Sequence, residues 1–171
     1  NIAYYFSGGM IEDSLNTLTS RWGQYTPDNH QAIFRDQVKL VNPKFVLTAD
    51  TLGYNTESYQ SDLVGPTQIL YEEETTILST NGWYNTQTEK SMLLDRSKII
   101  HTDGMTLTGD TIYYDKAIGY GKVLGHIESV DSTNQITLYG NKSEMWEEDD
   151  HGYVTDSALL VEWSDSTMYT Y

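Results

Sequence analysis

Residues 45–55 read FVLTADTLGYN, and residues 105–115 read MTLTGDTIYYD. At a constant offset of 60, Leu47, Thr48, Asp50, Thr51 and Tyr54 return as Leu107, Thr108, Asp110, Thr111 and Tyr114. Gly65 returns as Gly125 at the same offset. Inside each stretch the residues alternate. Phe45, Leu47 and Ala49 stand against Val46, Thr48 and Asp50, and Met105, Leu107 and Gly109 stand against Thr106, Thr108 and Asp110. A period of two is the mark of a strand whose neighbouring side chains point to opposite faces. The recurring element is therefore a β-strand, and the chain contains it more than once.

A second family of identities is interleaved with the first. Ser20, Gly23, Tyr25, Asp36 and Lys39 return 59 residues later as Ser79, Gly82, Tyr84, Asp95 and Lys98. A half-period lies within this: Leu47, Leu78, Leu107 and Leu138 follow at spacings of 31, 29 and 31, and Tyr169 continues the series. The chain is thus built of units of about 30 residues in two alternating flavours. Residues 121–127 (GKVLGHI) alternate again, with Val123, Gly125 and Ile127 on one side. Turn-forming residues separate the strands at 54–57, 102–104, 114–117 and 149–152. Ile11, Leu15, Leu18 and Trp22 have helical spacing, but the offset of 59 maps residues 10–23 onto 69–82, where strand and turn read better. The segment is accordingly expected to be β. Such a unit cannot bury its apolar face alone, so neighbours must stack. Residues 1–171 are expected to form one β-repeat domain that is a fragment of a longer array, ending inside a unit at residues 166–171.

Composition agrees with β structure: 14 Tyr and many Thr and Ile, against 3 Pro and 3 Phe. Ten Lys and Arg face 25 Asp and Glu, a formal charge of −15 without a basic stripe. That excludes nucleic acid as a partner and disfavours electrostatic attachment to an anionic membrane. The chain has no cysteine, so disulfides and thiolate sites are excluded. No apolar run approaches the ~20 residues a membrane-spanning helix needs.

Residues 45–55, GPTQI at 65–69, LTGDTIYYD at 107–115 followed by GYG at 119–121, and NQITLYG at 134–140 resemble the OstA-like proteins of lipopolysaccharide transport. The resemblance runs over about residues 4–171 and rests on the order and number of short motifs. It implies an all-β fold, an open, taco-like β-jellyroll of antiparallel strands, without catalytic residues or cofactor. It further implies a periplasmic location, or the periplasmic face of the outer membrane, in a Gram-negative bacterium. The partners implied are lipopolysaccharide or a similar amphipathic lipid, the outer-membrane translocon, and other OstA-like domains joined through open strand edges. Burying an acyl methylene contributes ~0.8 kcal/mol, so a dozen give on the order of 10 kcal/mol. Repulsion from dispersed carboxylates is screened within ~8 Å, so the apolar contribution wins.

By alternation, Phe45, Leu47, Leu78, Met105, Leu107, Ile112, Val123, Ile127, Ile136 and Leu138 are placed on the apolar inside as the candidate lipid-binding groove. The same residues would equally line an ordinary closed core. Asp50 and Asp110, and likewise Asp36 and Asp95, read as turn or strand-end residues that the repeat demands, not as carboxylate pairs. His30, His101, His126 and His151 lack metal-ligand spacing. The runs at 72–74 and 147–151 lack the glycine-punctuated pattern of a calcium loop and read as charged hairpin tips. Neither a nucleophile elbow nor a phosphate loop is present. The tyrosines and Trp22, Trp83, Trp146 and Trp163 read as exposed-face strand aromatics, with stacking on sugars as the functional counterpart. Two rival readings are kept: a structural envelope scaffold with a filled interior, and a β-helix enzyme acting on polysaccharide, which should show short rungs and a basic or calcium-bearing cluster.

Overall fold

The computed structural model describes residues 2–12, 14–149, 151–164 and 167–170. Its strands, in chain order, begin with β1 (Ala3–Tyr5), β2 (Gly9–Glu12), β3 (Thr17–Ser20), β4 (Trp22–Thr26), β5 (Gln31–Asn42) and β6 (Phe45–Asn55). They continue with β7 (Gln60–Tyr71), β8 (Thr75–Asn85), β9 (Lys90–Leu94), β10 (Ser97–His101), β11 (Met105–Gly109) and β12 (Thr111–Asp115). The last are β13 (Tyr120–Asp131), β14 (Ile136–Trp146), β15 (His151–Thr155), β16 (Leu159–Ser164) and β17 (Thr167–Thr170). Every pairing is antiparallel, and the described residues of 10–23 are strand and turn as the repeat requires. Of the segments marked in the sequence, Asp13, Asp150, Ser166 and Tyr171 lie outside the described residues.

The long strands each serve two half-sheets. In one, β2, β3, β10, β11, β16 and β17 complete the halves of β5 to β8, β13 and β14 on one side of a crease. In the other, β1, β4, β9, β12 and β15 do the same. The crease is a line of irregularities where the register shifts: between Arg35 and Val38, Val64 and Thr67, and Leu124 and Ile127. Left-handed residues mark it in each unit: Asp36 and Gln37, Gly65, Asp95 and Arg96, Gly125 and His126, Asp156 and Ser157. A bulge adds one residue and bends the strand, so a bulge repeated every unit folds the whole sheet along one line.

Because the sheet folds, residues on its one inner face bury each other. Val38 (1% exposed) and Ile127 (2%) of the first half pack in one cluster with Leu52 (2%) and Leu63 (3%) of the second. Gly109 lies so close beneath Val123 that a Cβ there would collide with Val123 Cγ1, across the seam. At the crease Gly125 has φ +74°, and a Cβ there would collide with Asp110 Oδ2. Side-chain caps close the turns at one end of the strands. Asn55 Oδ1 accepts the amides of Glu57 and Ser58, and Asn85 Oδ1 those of Gln87 and Thr88.

Candidate lipid-binding cleft

Cross-strand partners share a face, so the registers align the inner residues in rows. One row of the first half-sheet runs Leu18, Leu40, Leu47, Ile69, Ile77, Ile99, Leu107, Ser129, Leu138 and Leu160. It is aliphatic at every place but one. Between it and the crease lies a row of smaller residues, Val38, Ala49, Thr67 and Ser79, continued by Ser97, whose hydroxyl donates to that of Ser79 at 2.8 Å. The facing half-sheet presents Phe34, Leu52, Leu63, Leu93, Ile112 and Val123 beside the crease. Farther out it presents Tyr25, Tyr54, Tyr84 and Tyr114, alternating with Ala32, Ser61, Ser91 and Gly121. The interior is therefore a wedge. It is packed tight along the crease and grows more exposed towards its two lips.

Leu47, Ile112, Val123 and Ile127 are buried in the common cluster, with Phe45 and Leu107 packed against it. Ile136 and Leu138 are half-buried farther out. Met105 shares the inner face of Leu107 but lies at the lip, 39% exposed. Leu78 is a correction: it stands on the outer face, 38% exposed, between Gln68 and Lys98, and the inner residue there is Ile77. The reason is turn length. From Tyr71 to Thr75 the chain turns in one residue fewer than from Asp131 to Ile136. A spacing of 31 thus keeps Leu138 inside but turns Leu78 out. Leu78 borders an open hollow of about 570 Å³ on the back of the crease, together with Lys39, Thr48 and Gln68.

Two of the four aspartates stand at strand ends as expected, Asp95 after β9 and Asp110 after β11, while Asp36 and Asp50 lie within strands. Asp36 and Asp95 are left-handed crease residues, Asp50 lies within β6, and Asp110 joins β11 to β12 at the crease. There Asp110 Oδ2 meets His126 Nδ1 at 2.6 Å, and its Oδ1 lies 3.6 Å from Arg96 Nη1. The hydrogen bond to His126 holds the Asp110 carboxyl below the usual range, and the Arg96 charge adds to it. His101 and Asp103 stay within one turn, Nδ1 to Oδ1 2.9 Å, and no cluster among the described residues fits a metal. Trp22, under Arg35, and Trp146, stacked on His151, are outer-face aromatics as expected. The tyrosine row is not. Tyr25, Tyr54, Tyr84 and Tyr114 face inward, which the spacings of 29, 30 and 30 already signalled.

Burial pushes the Tyr84 hydroxyl up, reinforced by Glu89. Tyr114 is pushed up to about 12, by burial first and then by donating to Glu147 Oε1 at 2.8 Å. On the outer face, Asp115 is buried with Lys90 Nζ at 3.1 Å from its Oδ2.

The sequence pattern of the OstA-like proteins matches residues 1–50. No curated protein matches the chain in sequence. Among solved structures, the chain is similar to LptH of Pseudomonas aeruginosa, the LptA-homologous periplasmic component of that organism's lipopolysaccharide transport device. The two share 17% identity with a TM-score of 0.54, covering 77% of this chain and 95% of LptH. Neither match is to an enzyme. The likeness is thus in sequence pattern to the OstA-like proteins over residues 1–50 and, in its all-β, open-jellyroll fold alone, to LptH over most of the chain.

Proposed function

We propose that this chain binds lipopolysaccharide or a related amphipathic lipid in its wedge-shaped interior and passes it across the periplasm towards the outer membrane. The observation that carries the reading is the aliphatic row from Leu18 to Leu160, which runs unbroken across the half-sheet except at Ser129. A core needs such residues only where a partner covers them. Here the row extends past the tightly packed seam to half-buried Leu138 and Leu160. The OstA-like pattern and the likeness to a periplasmic transport component support the same reading. The groove residues are Phe45, Leu47, Met105, Leu107, Ile112, Val123, Ile127, Ile136 and Leu138, with Ile77 in place of Leu78.

Partners of the same kind join at the sheet edges. The β1 and β2 edge carries Tyr4, Met10 and Phe6, the last 73% exposed, and the β15 edge carries exposed Tyr153. Open edges with apolar side chains favour strand addition by another OstA-like domain or by the translocon.

Native mass spectrometry with and without lipopolysaccharide, paired with displacement of a fluorescent acyl probe, tests the reading. Saturable one-to-one binding, weakened by Leu138→Asp in a folded protein, is expected. A folded protein that binds no amphiphile would leave the scaffold reading. That alternative has its own support in the seam, where Val38, Leu52 and Ile127 are packed as in a filled core.

A further inference from the structure

Lys116 sits in the turn between β12 and β13, at the lip of the tyrosine-bearing half-sheet. The repeat gives this position a modest job. Thr56 and Thr86 occupy it in earlier units, each donating its amide to the carbonyl of the turn before, His30 or Tyr59, with its hydroxyl near the same oxygen. Lys116 keeps the amide bond, to Glu89 O at 3.1 Å, but replaces the short hydroxyl with a long cation. Nothing in the turn requires that exchange.

The ammonium spans the wedge. It meets Glu89 Oε1 at 3.3 Å on its own lip. It also lies beside the hydroxyl of Tyr71, which ends β7 on the opposite lip, in the inner row of Phe45. The other cations are elsewhere. Arg35, Lys39, Lys90, Lys98, Lys122 and Lys142 alternate onto the outer face, Arg21 and Arg96 lie at the crease, and Lys44 is in a turn. In a chain of net charge −15, the lip of the apolar wedge thus carries one cation that reaches across it.

We infer that Lys116 is the receptor for an anionic headgroup, phosphate or carboxylate, of an amphiphile whose chains lie in the wedge, and that Glu89 and Tyr71 hold it between ligands. The inference rests on the cleft reading above. The pair with Glu89 is partly exposed on both sides, so it is weak and yields readily. A phosphate brings up to two charges and three acceptors, and competes well for the same ammonium.

Dodecyl phosphate and dodecyl maltoside, each below its micelle concentration, are compared as competitors of N-phenyl-1-naphthylamine. The intact chain should prefer the phosphate by about tenfold, the size of one charge-assisted contact. Lys116→Gln should abolish the preference and leave the maltoside unchanged, Glu89→Gln should increase it, and Lys122→Gln on the outer face should not alter it. An unchanged preference in Lys116→Gln, an equal loss in Lys122→Gln, or no preference in the intact chain overturns the inference while the cleft reading stands. Failure of the intact chain to take up either amphiphile overturns both.

Discussion

The two ends of the wedge use the same repeat for different purposes. Beside the crease, Val38, Leu52 and Ile127 are sealed to 1–2% exposure, and small residues such as Ala49, Ser79, Ser97 and Gly109 let the two layers close. At the lips, residues in the same strands and on the same face, such as Met105, Ile136 and Leu138, are half-buried or exposed. The difference is distance from the fold line, not residue type. A side chain near a crease meets the opposing layer at once, while one two or four residues farther along meets it across a widening gap. Stability therefore belongs to the crease, and ligand capacity to the lips.

The sharpest way to break this comparison is at the crease. Leu52→Ala or Ile127→Ala leaves a cavity in a sealed seam and should cost about 2–5 kcal/mol in urea denaturation. A cost under about 1 kcal/mol at both sites would mean that the seam is not the structural core.

Next in size is the bend itself. Gly125→Ala puts a Cβ against Asp110 in a left-handed residue, and should destabilise by about 1–3 kcal/mol. Its thermal transition should fall, with less change for the same substitution at Gly53, which is extended and unstrained.

The lip should behave the other way. Met105→Ser removes a partly exposed side chain, so stability should change by less than about 1 kcal/mol while acyl-probe affinity falls severalfold. A Met105→Ser protein that binds the probe like its parent would move the binding surface away from that lip.

The smallest expected effect concerns acid. Asp110 has a folded pKa below its ordinary value, so its contribution is fully present above the unfolded value of ~3.9 and is lost as pH falls through the folded one. The group is exposed and screened, so the effect is slight. Asp110→Asn should flatten the fall in midpoint temperature below ~pH 4, and an identical slope in both proteins would show that the crease ion pair carries none of it.

Much was legible without coordinates. The repeats at 59 and 60, the alternation in 45–50 and 105–110, and the Asn and Asp turns determine strands, the turns between them and the inner placement of Leu47, Leu107, Ile112 and Ile127. Those follow from local physics, since a strand's two faces alternate whatever surrounds it. Leu78 failed because its face depends on the length of the turn before it, and a single extra residue exchanges the two faces. What no pattern could give was the fold across the crease. Tyr71 and Lys116 are 45 residues apart and in different half-sheets, so only bending the sheet at its bulges brings their side chains together. Alternation determined which residues could line an interior. How tightly that interior closes, from the sealed Val38 to the open Met105, was decided by the distance of each from a line that exists only in the folded sheet.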